Sequence, residues 1–180
     1  MNRLSSPGTW LAGLAVSASA ALGLAQIERL DLAQMVAKTD GAVHGTIVER
    51  EVIRIDHPVD GPELYFTHLT LQGTSLTSGN AITVKVTFAG GFVSPDEGVH
   101  NSEAPSADET KLGAEVVAFY KWSDNMGGGL AANALYASHG GIYRVAQTRN
   151  GAVALGKGDG YAISGNVRVA DLKSQIAKLK

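Results

Sequence analysis

The stretch Ala42 to Ile55, AVHGTIVEREVIRI, decides the fold. It is too long and too rich in β-branched residues for a loop, with apolar side chains at Val43, Ile47, Val48, Val52, Ile53 and Ile55. The apolar phase slips along its length, and Gly45 lies inside it. A long strand that changes which face it buries is a bulged, strongly bent strand.

Working downstream, Asp56 to Pro62 (DHPVDGP) reads as a loop. Tyr65, Thr67, Leu69 and Leu71 then alternate with Phe66, His68, Thr70 and Gln72. After the Ser78-Gly79-Asn80 turn, Ile82, Val84, Val86 and Phe88 alternate with Thr83, Lys85 and Thr87, the cleanest half-buried strand of the chain. Gly90-Gly91 ends it. Residues 92–113 form a long irregular segment rich in acids and prolines, of the kind that is functional or mobile in a compact domain. Val116 to Trp122 is a nearly continuous apolar run and therefore a central strand. A flexible loop follows at Asn125 to Gly129. Leu135–Ala137 and Ile142–Ala146 read as a hairpin around His139-Gly140-Gly141. Ala152–Leu155 and Tyr161–Ile163 read as a second hairpin around a Gly-Lys-Gly-Asp-Gly turn.

Helices close both ends. Asp31 precedes Leu32, Met35 and Val36, a short capped helix. Val169, Leu172, Ile176 and Leu179 lie on one helical face, with Asp171 near its start and Lys178 near its end, as the macrodipole prefers. The expected architecture is mainly β: a small antiparallel OB-like Greek-key barrel with a short N-terminal helix and a C-terminal helix.

Residues 1–25 carry an address. Arg3, an apolar run from Trp10 to Leu24, and small residues Gly23 and Ala25 before Gln26 have the order of a cleavable signal peptide. The run is shorter than the roughly 20 residues that span a bilayer. The chain is therefore expected to be exported, to the periplasm or beyond, with residues 26–180 forming one domain and no stable membrane insertion after cleavage.

Composition agrees with a packed β domain: 44% of the 180 residues are apolar and 22 are glycine. Removing residues 1–25 takes away Arg3 and no acid, which moves the formal charge from −2 to −3. No nucleic-acid partner is expected from that balance, and Lys85 and Lys121 make no basic, aromatic face. The absence of cysteine excludes disulfides, thiolate catalysis and every cysteine-based metal site.

The run Ala37 to Val48, followed by Tyr65 to Leu71, Val84 to Val86, Gly90-Gly91 and Gly113 to Phe119, resembles an exported bacterial domain. Its layout is similar to the netrin-like, tissue-inhibitor-of-metalloproteinases type of OB-fold. The resemblance covers roughly residues 32–122 and implies a five-stranded Greek-key barrel. Those inhibitors chelate a protease metal through an N-terminal cysteine; this chain has none, so their mechanism does not carry over.

The candidate chemistry centres on residues 92–112. Asp96, Glu97, His100, Glu103, Asp108 and Glu109 crowd together there, and Asp96, Glu97, His100 and Glu103 are the candidate ligand- or partner-binding residues. Phe92 and Val93 are the expected buried anchors of an otherwise solvated segment. His100, Glu103 and Asp108 could hold a divalent metal, although the spacing matches neither a calcium loop nor an HExxH pair. A solvated acidic loop is the simpler reading. His44 and His68, in neighbouring strands, could meet across the sheet. There is no G-x-S-x-G elbow, and Gly156-Lys157-Gly158 lacks the rest of a phosphate loop. No cofactor is required. The favoured expectation is a non-enzymatic binding module for a protein or small ligand, presenting loops 56–63, 92–112 and 123–130. The alternative is a metal-binding protein or metal-dependent hydrolase centred on the acidic segment.

Overall fold

Strand β1, Gly41–His57, bends as its apolar pattern requires. In the antiparallel ladder with β2, Gly61–Ser75, the register shifts between Ile47 and Glu49, leaving Val48 as the extra, exposed residue. Opposite residues of an antiparallel pair share a face. Val43 and Ile47 face inward before the bulge, and the even-numbered residues take that face after it, with Arg50 opposite the fully buried Leu69. One inserted residue accounts for the slipped phase. Gly45 stands opposite Gly73 at the bend, where a Cβ on Gly45 would fall 2.6 Å from the Gln72 carbonyl oxygen. The strands cross too closely there for any side chain.

The computed structural model describes residues 29–180; the expected signal peptide, residues 1–25, and the processed terminus at Gln26 lie outside the described residues. The barrel closes through β3 (Ala81–Ala89), β6 (Glu115–Ser123) and β7 (Ala132–Leu135). Its circular order is β1-β2-β3-β7-β6 and back to β1, with β3 and β7 parallel and the other pairs antiparallel. This is the closed five-stranded, OB-like Greek-key barrel. Strand β6 also pairs with β8, Ile142–Thr148, and the sheet runs on through β9, Gly151–Ala154, to the short β10, Val167–Arg168.

Two cores explain the continuous apolar run of β6. Val116 and Ala118 face the lumen with Ile47, Leu69, Leu71 and Val86. Val117 and Phe119 face outward, beneath helices α1 (Leu32–Lys38) and α3 (Val169–Leu179), among Met35, Tyr143, Leu172 and Ile176. A strand buried on both faces has no polar alternation to show. Asp31 caps α1 through a capping box: Gln34 N–H donates to Asp31 Oδ1 at 2.8 Å, and Gln34 Oε1 accepts from the Asp31 N–H at 3.0 Å. Leu179, expected on the buried face of α3, is instead exposed in the last turn.

Neither predicted C-terminal hairpin forms as expected. β7 and β8 do not pair with each other; both lie along β6, and the Ser138–Gly141 turn carries the chain between them. β9 pairs with β8 and β10, and Tyr161–Ile163 is not a strand. Backbone bonds from Lys157 N to Ile163 O and from Gly158 N to Ser164 O hold that loop closed. His44 and His68 do not meet either: His44 stands opposite Thr74 and His68 opposite Glu51.

Candidate functional site

The segment after β3 is ordered rather than an open loop. It forms a small hairpin, β4 (Gly91–Ser94) with β5 (Glu97–Val99), then a one-turn helix, α2 (Ala107–Thr110). Tyr65 O accepts from the Gly90 N–H at 2.7 Å, and Gly90 O accepts from the Thr67 hydroxyl at 2.7 Å, so the chain turns tightly over the barrel mouth. Phe92 and Val93, the expected buried anchors, are 48% and 42% exposed. Burial falls instead on Pro105, Glu109 and Thr110.

Glu109 is anchored by Lys157. Lys157 Nζ lies 2.5 Å from Glu109 Oε1, with side chains only 17% and 9% exposed, and Ser106 donates to Glu109 Oε2 from both its backbone N–H and its hydroxyl at 2.9 Å. Lys157 also donates to the His139 carbonyl at 2.5 Å and sits 5.5 Å from the Tyr143 ring centroid. The Gly-Lys-Gly turn thus supplies a structural cation. Forty-eight residues separate its lysine from Glu109, which is why no local pattern revealed the pair.

The candidate acids disperse. Asp96 is exposed at the β4–β5 turn. Glu97 accepts from Arg54 Nη1 at 3.0 Å and from the Tyr65 hydroxyl at 3.3 Å. These bonds from Glu97, followed by Asp56, raise the Arg54 pKa and keep the guanidinium charged. Asp56 is held below its ordinary range by the Glu63 backbone N–H, then by Arg54. The Glu103 carbonyl accepts from the His139 backbone N–H and Nδ1, each at 3.1 Å, and from the Ser138 hydroxyl, while the side-chain Oε2 of Glu103 is buried with no hydrogen-bond partner among the described residues. Asp108 turns outward to Arg144 and Lys111. His100, Glu103 and Asp108 therefore do not converge. Among the described residues no group of three or more His, Asp and Glu side chains could hold a metal ion.

What does converge is a set of loops. The β1–β2 loop, the segment from Ala89 to Ser102 and the β6–β7 loop line one cleft of about 970 Å³. His57 shapes the first of these, its Nδ1 accepting from Val59 N at 3.3 Å and Asp60 N at 3.0 Å. Asp60 Oδ2 in turn accepts from the Gly128 N–H at 2.8 Å, tying the first loop to the third. Gly128 is left-handed at φ 61°, and a Cβ there would meet Ile55 Cγ2 at 2.8 Å. The Gly127-Gly128-Gly129 run is a packed turn, not the flexible loop expected of it. Asn101 fixes the second wall, the Ala89–Ser102 segment, its Nδ2 donating to Ala89 O at 3.0 Å while its Oδ1 accepts from the Glu103 N–H at 2.9 Å.

The cleft has an apolar floor of Leu64, Tyr65, Phe66 and Met126, with Val59 and Val99 at the rim. Val59 is 84% exposed. Asp60 and Glu63 are its carboxylates, and among the described residues no lysine or arginine lines it. Of the four candidate binding residues only His100 borders it. Tyr65, Phe66 and Met126 were missed because they belong to ordinary strand and turn patterns. The loops themselves were legible as punctuation between strands.

No family model matches the chain, and searches of the curated proteins and of the solved structures return no match. Among the described residues no helix is long and apolar enough to cross a membrane.

Proposed function

We propose that this chain is an exported, non-enzymatic binding module that takes a partner in the three-loop cleft, and that its barrel is kin to the netrin-like group it resembles. One observation carries the reading: three loops far apart in sequence meet at one end of the barrel around an apolar floor, joined by the Asp60–Gly128 bond. In five-stranded barrels of this topology the first–second and fourth–fifth strand loops, with the face of strands two and three, form the ligand surface. Here those loops are 58–60 and 124–131, and Phe66 and Ala89 belong to that face. Apolar clefts ringed by a few polar groups are the usual form of binding sites.

Charge narrows the partner. Asp60 and Glu63 line the cleft, and the nearby Arg54 is already shared among Glu63, Glu97 and Asp56, so no uncommitted cation is there for phosphate and the reading favours a protein segment or small ligand with an apolar anchor over a nucleic acid. The test is co-purification. Protein isolated from its exporting cell is compared with the Val59→Asp/Met126→Asp variant, and bound species are identified by mass spectrometry. A partner present with the first and lost from the second, at equal thermal midpoints, supports the reading. A partner retained by the variant refutes it.

A further inference from the structure

A second pocket, of about 390 Å³, opens at the barrel mouth on the other side of the Val99–Ser102 segment. Its character is opposite to that of the cleft. Among the described residues no Asp or Glu lines it, although the protein as a whole is acidic, and Arg50 is the one lysine or arginine that does. The β1 bulge puts Arg50 there. Without the shift at Val48 the residue would face outward; with it, Arg50 stands opposite Leu69 on the inner face, in line with Thr67 and Phe88. The Arg50 side chain makes no hydrogen bond or ion pair among the described residues, whereas Arg54, four residues on, is held by Glu97, Asp56 and Glu63. The wall around it is mixed: Phe88, Phe92, Ala104 and Pro105 give it an apolar side, and the uncharged polar groups Thr67, Asn101, Ser102, Ser106 and Thr110 line the rest with His100.

We propose that this pocket binds a small monocarboxylate with an apolar tail, its carboxylate on Arg50 and its tail against Phe88, Phe92 and Pro105. A guanidinium is a planar fork matched to a carboxylate, and a partly enclosed apolar site strengthens such a pair. The volume sits near the lower end of small-molecule pockets, roughly 300–1,000 Å³. This site shares the Val99–Ser102 segment with the loop cleft as a common wall, and no other lining residue.

Calorimetric titration of the processed protein with octanoate, octanol and octylamine tests the assignment. Octanoate binds, octanol binds at least roughly tenfold more weakly, and octylamine does not bind. Arg50→Met weakens octanoate by about tenfold to a hundredfold, and Arg50→Lys restores part of the loss. Val59→Asp/Met126→Asp, which alters only the loop cleft, leaves octanoate affinity unchanged. Arg50 is exposed, so the variants keep their fold, and an unchanged thermal midpoint verifies it. Octanol binding as tightly as octanoate, sulfate competing as well as octanoate, full affinity in Arg50→Met, or no octanoate binding at all would each overturn the proposal.

Discussion

Replacing Lys157 by Met tests whether the acidic segment is part of the folded body. Glu109 and Lys157 form an ion pair at 2.5 Å with side chains 9% and 17% exposed. Removing one partner of such a pair strands a buried charge and costs about 3–5 kcal/mol. That is a large part of a domain's total stability of roughly 5–15 kcal/mol. Ser106 keeps its two bonds to Glu109 Oε2, which holds the expected loss nearer the lower figure. An internal control is the Asp108–Arg144 pair, at 3.3 Å with side chains 64% and 47% exposed, where Arg144→Ala should cost about 0–1 kcal/mol. Urea unfolding gives both values, and the cycle closed by Glu109→Leu and the double variant Glu109→Leu/Lys157→Met isolates the coupling from the lost contact with the Tyr143 ring. The double variant should recover most of the stability, because no charge is left stranded. A loss below about 1 kcal/mol for Lys157→Met would equate it with an exposed pair. The segment would then be a solvated loop, not part of the folded body.

The lumen predicts that Val84→Asp is far more damaging than Lys85→Asp. Val84 is 8% exposed, and an unpaired buried carboxylate costs several kcal/mol, whereas Lys85 gives up only an exposed 3.6 Å pair with Glu51. Similar thermal midpoints would show the facing of β3 to be misassigned. Burial pushes the Tyr143 hydroxyl, which donates to Gly140 O at 2.7 Å, up to about 12. The unfolded value is about 10, so this stabilisation is complete below pH ~10 and is lost as pH rises toward ~12, roughly 2–3 kcal/mol in all. Tyr143→Phe should flatten that alkaline fall, and an unchanged slope in denaturant titrations at stepped pH would contradict it. Mass spectrometry of the exported protein should find Gln26 at its N-terminus; an intact Met1 in that pool would remove the signal-peptide reading.

The barrel was legible because its information is local. Alternation in β3, the slipped phase of β1 and glycine at the turns each mark a strand without reference to any other. β6 was legible as central from its unbroken apolar run, although only the structure shows which residues face the lumen and which the helices. Pairing choices were not legible. β7 joins β3 in parallel, which no turn between β7 and β8 encodes, so a glycine-rich turn flanked by apolar residues passed for a hairpin. The acidic segment misled for a related reason: composition cannot distinguish a carboxylate in water from one paired with a distant lysine. Phe92 and Val93 are apolar yet exposed, and Phe92 lines the barrel-mouth pocket instead of the core. The site was half legible. Its three loops could be read from punctuation, but their convergence depends on barrel closure and on the Asp60–Gly128 bond across 68 residues.

Site-specific photo-crosslinking in the exporting cell tests the central claim, that the three-loop cleft is where this protein meets its partner. A photoreactive phenylalanine analogue placed at Val59, at Ser102 and at Met126 samples each wall of the cleft, and one at Leu112 or Thr148 samples exposed surface outside it. A partner seated in the cleft gives one shared adduct from all three cleft positions and none from the two controls. An adduct formed equally well from Leu112 or Thr148, or no shared adduct among the three walls, would contradict it.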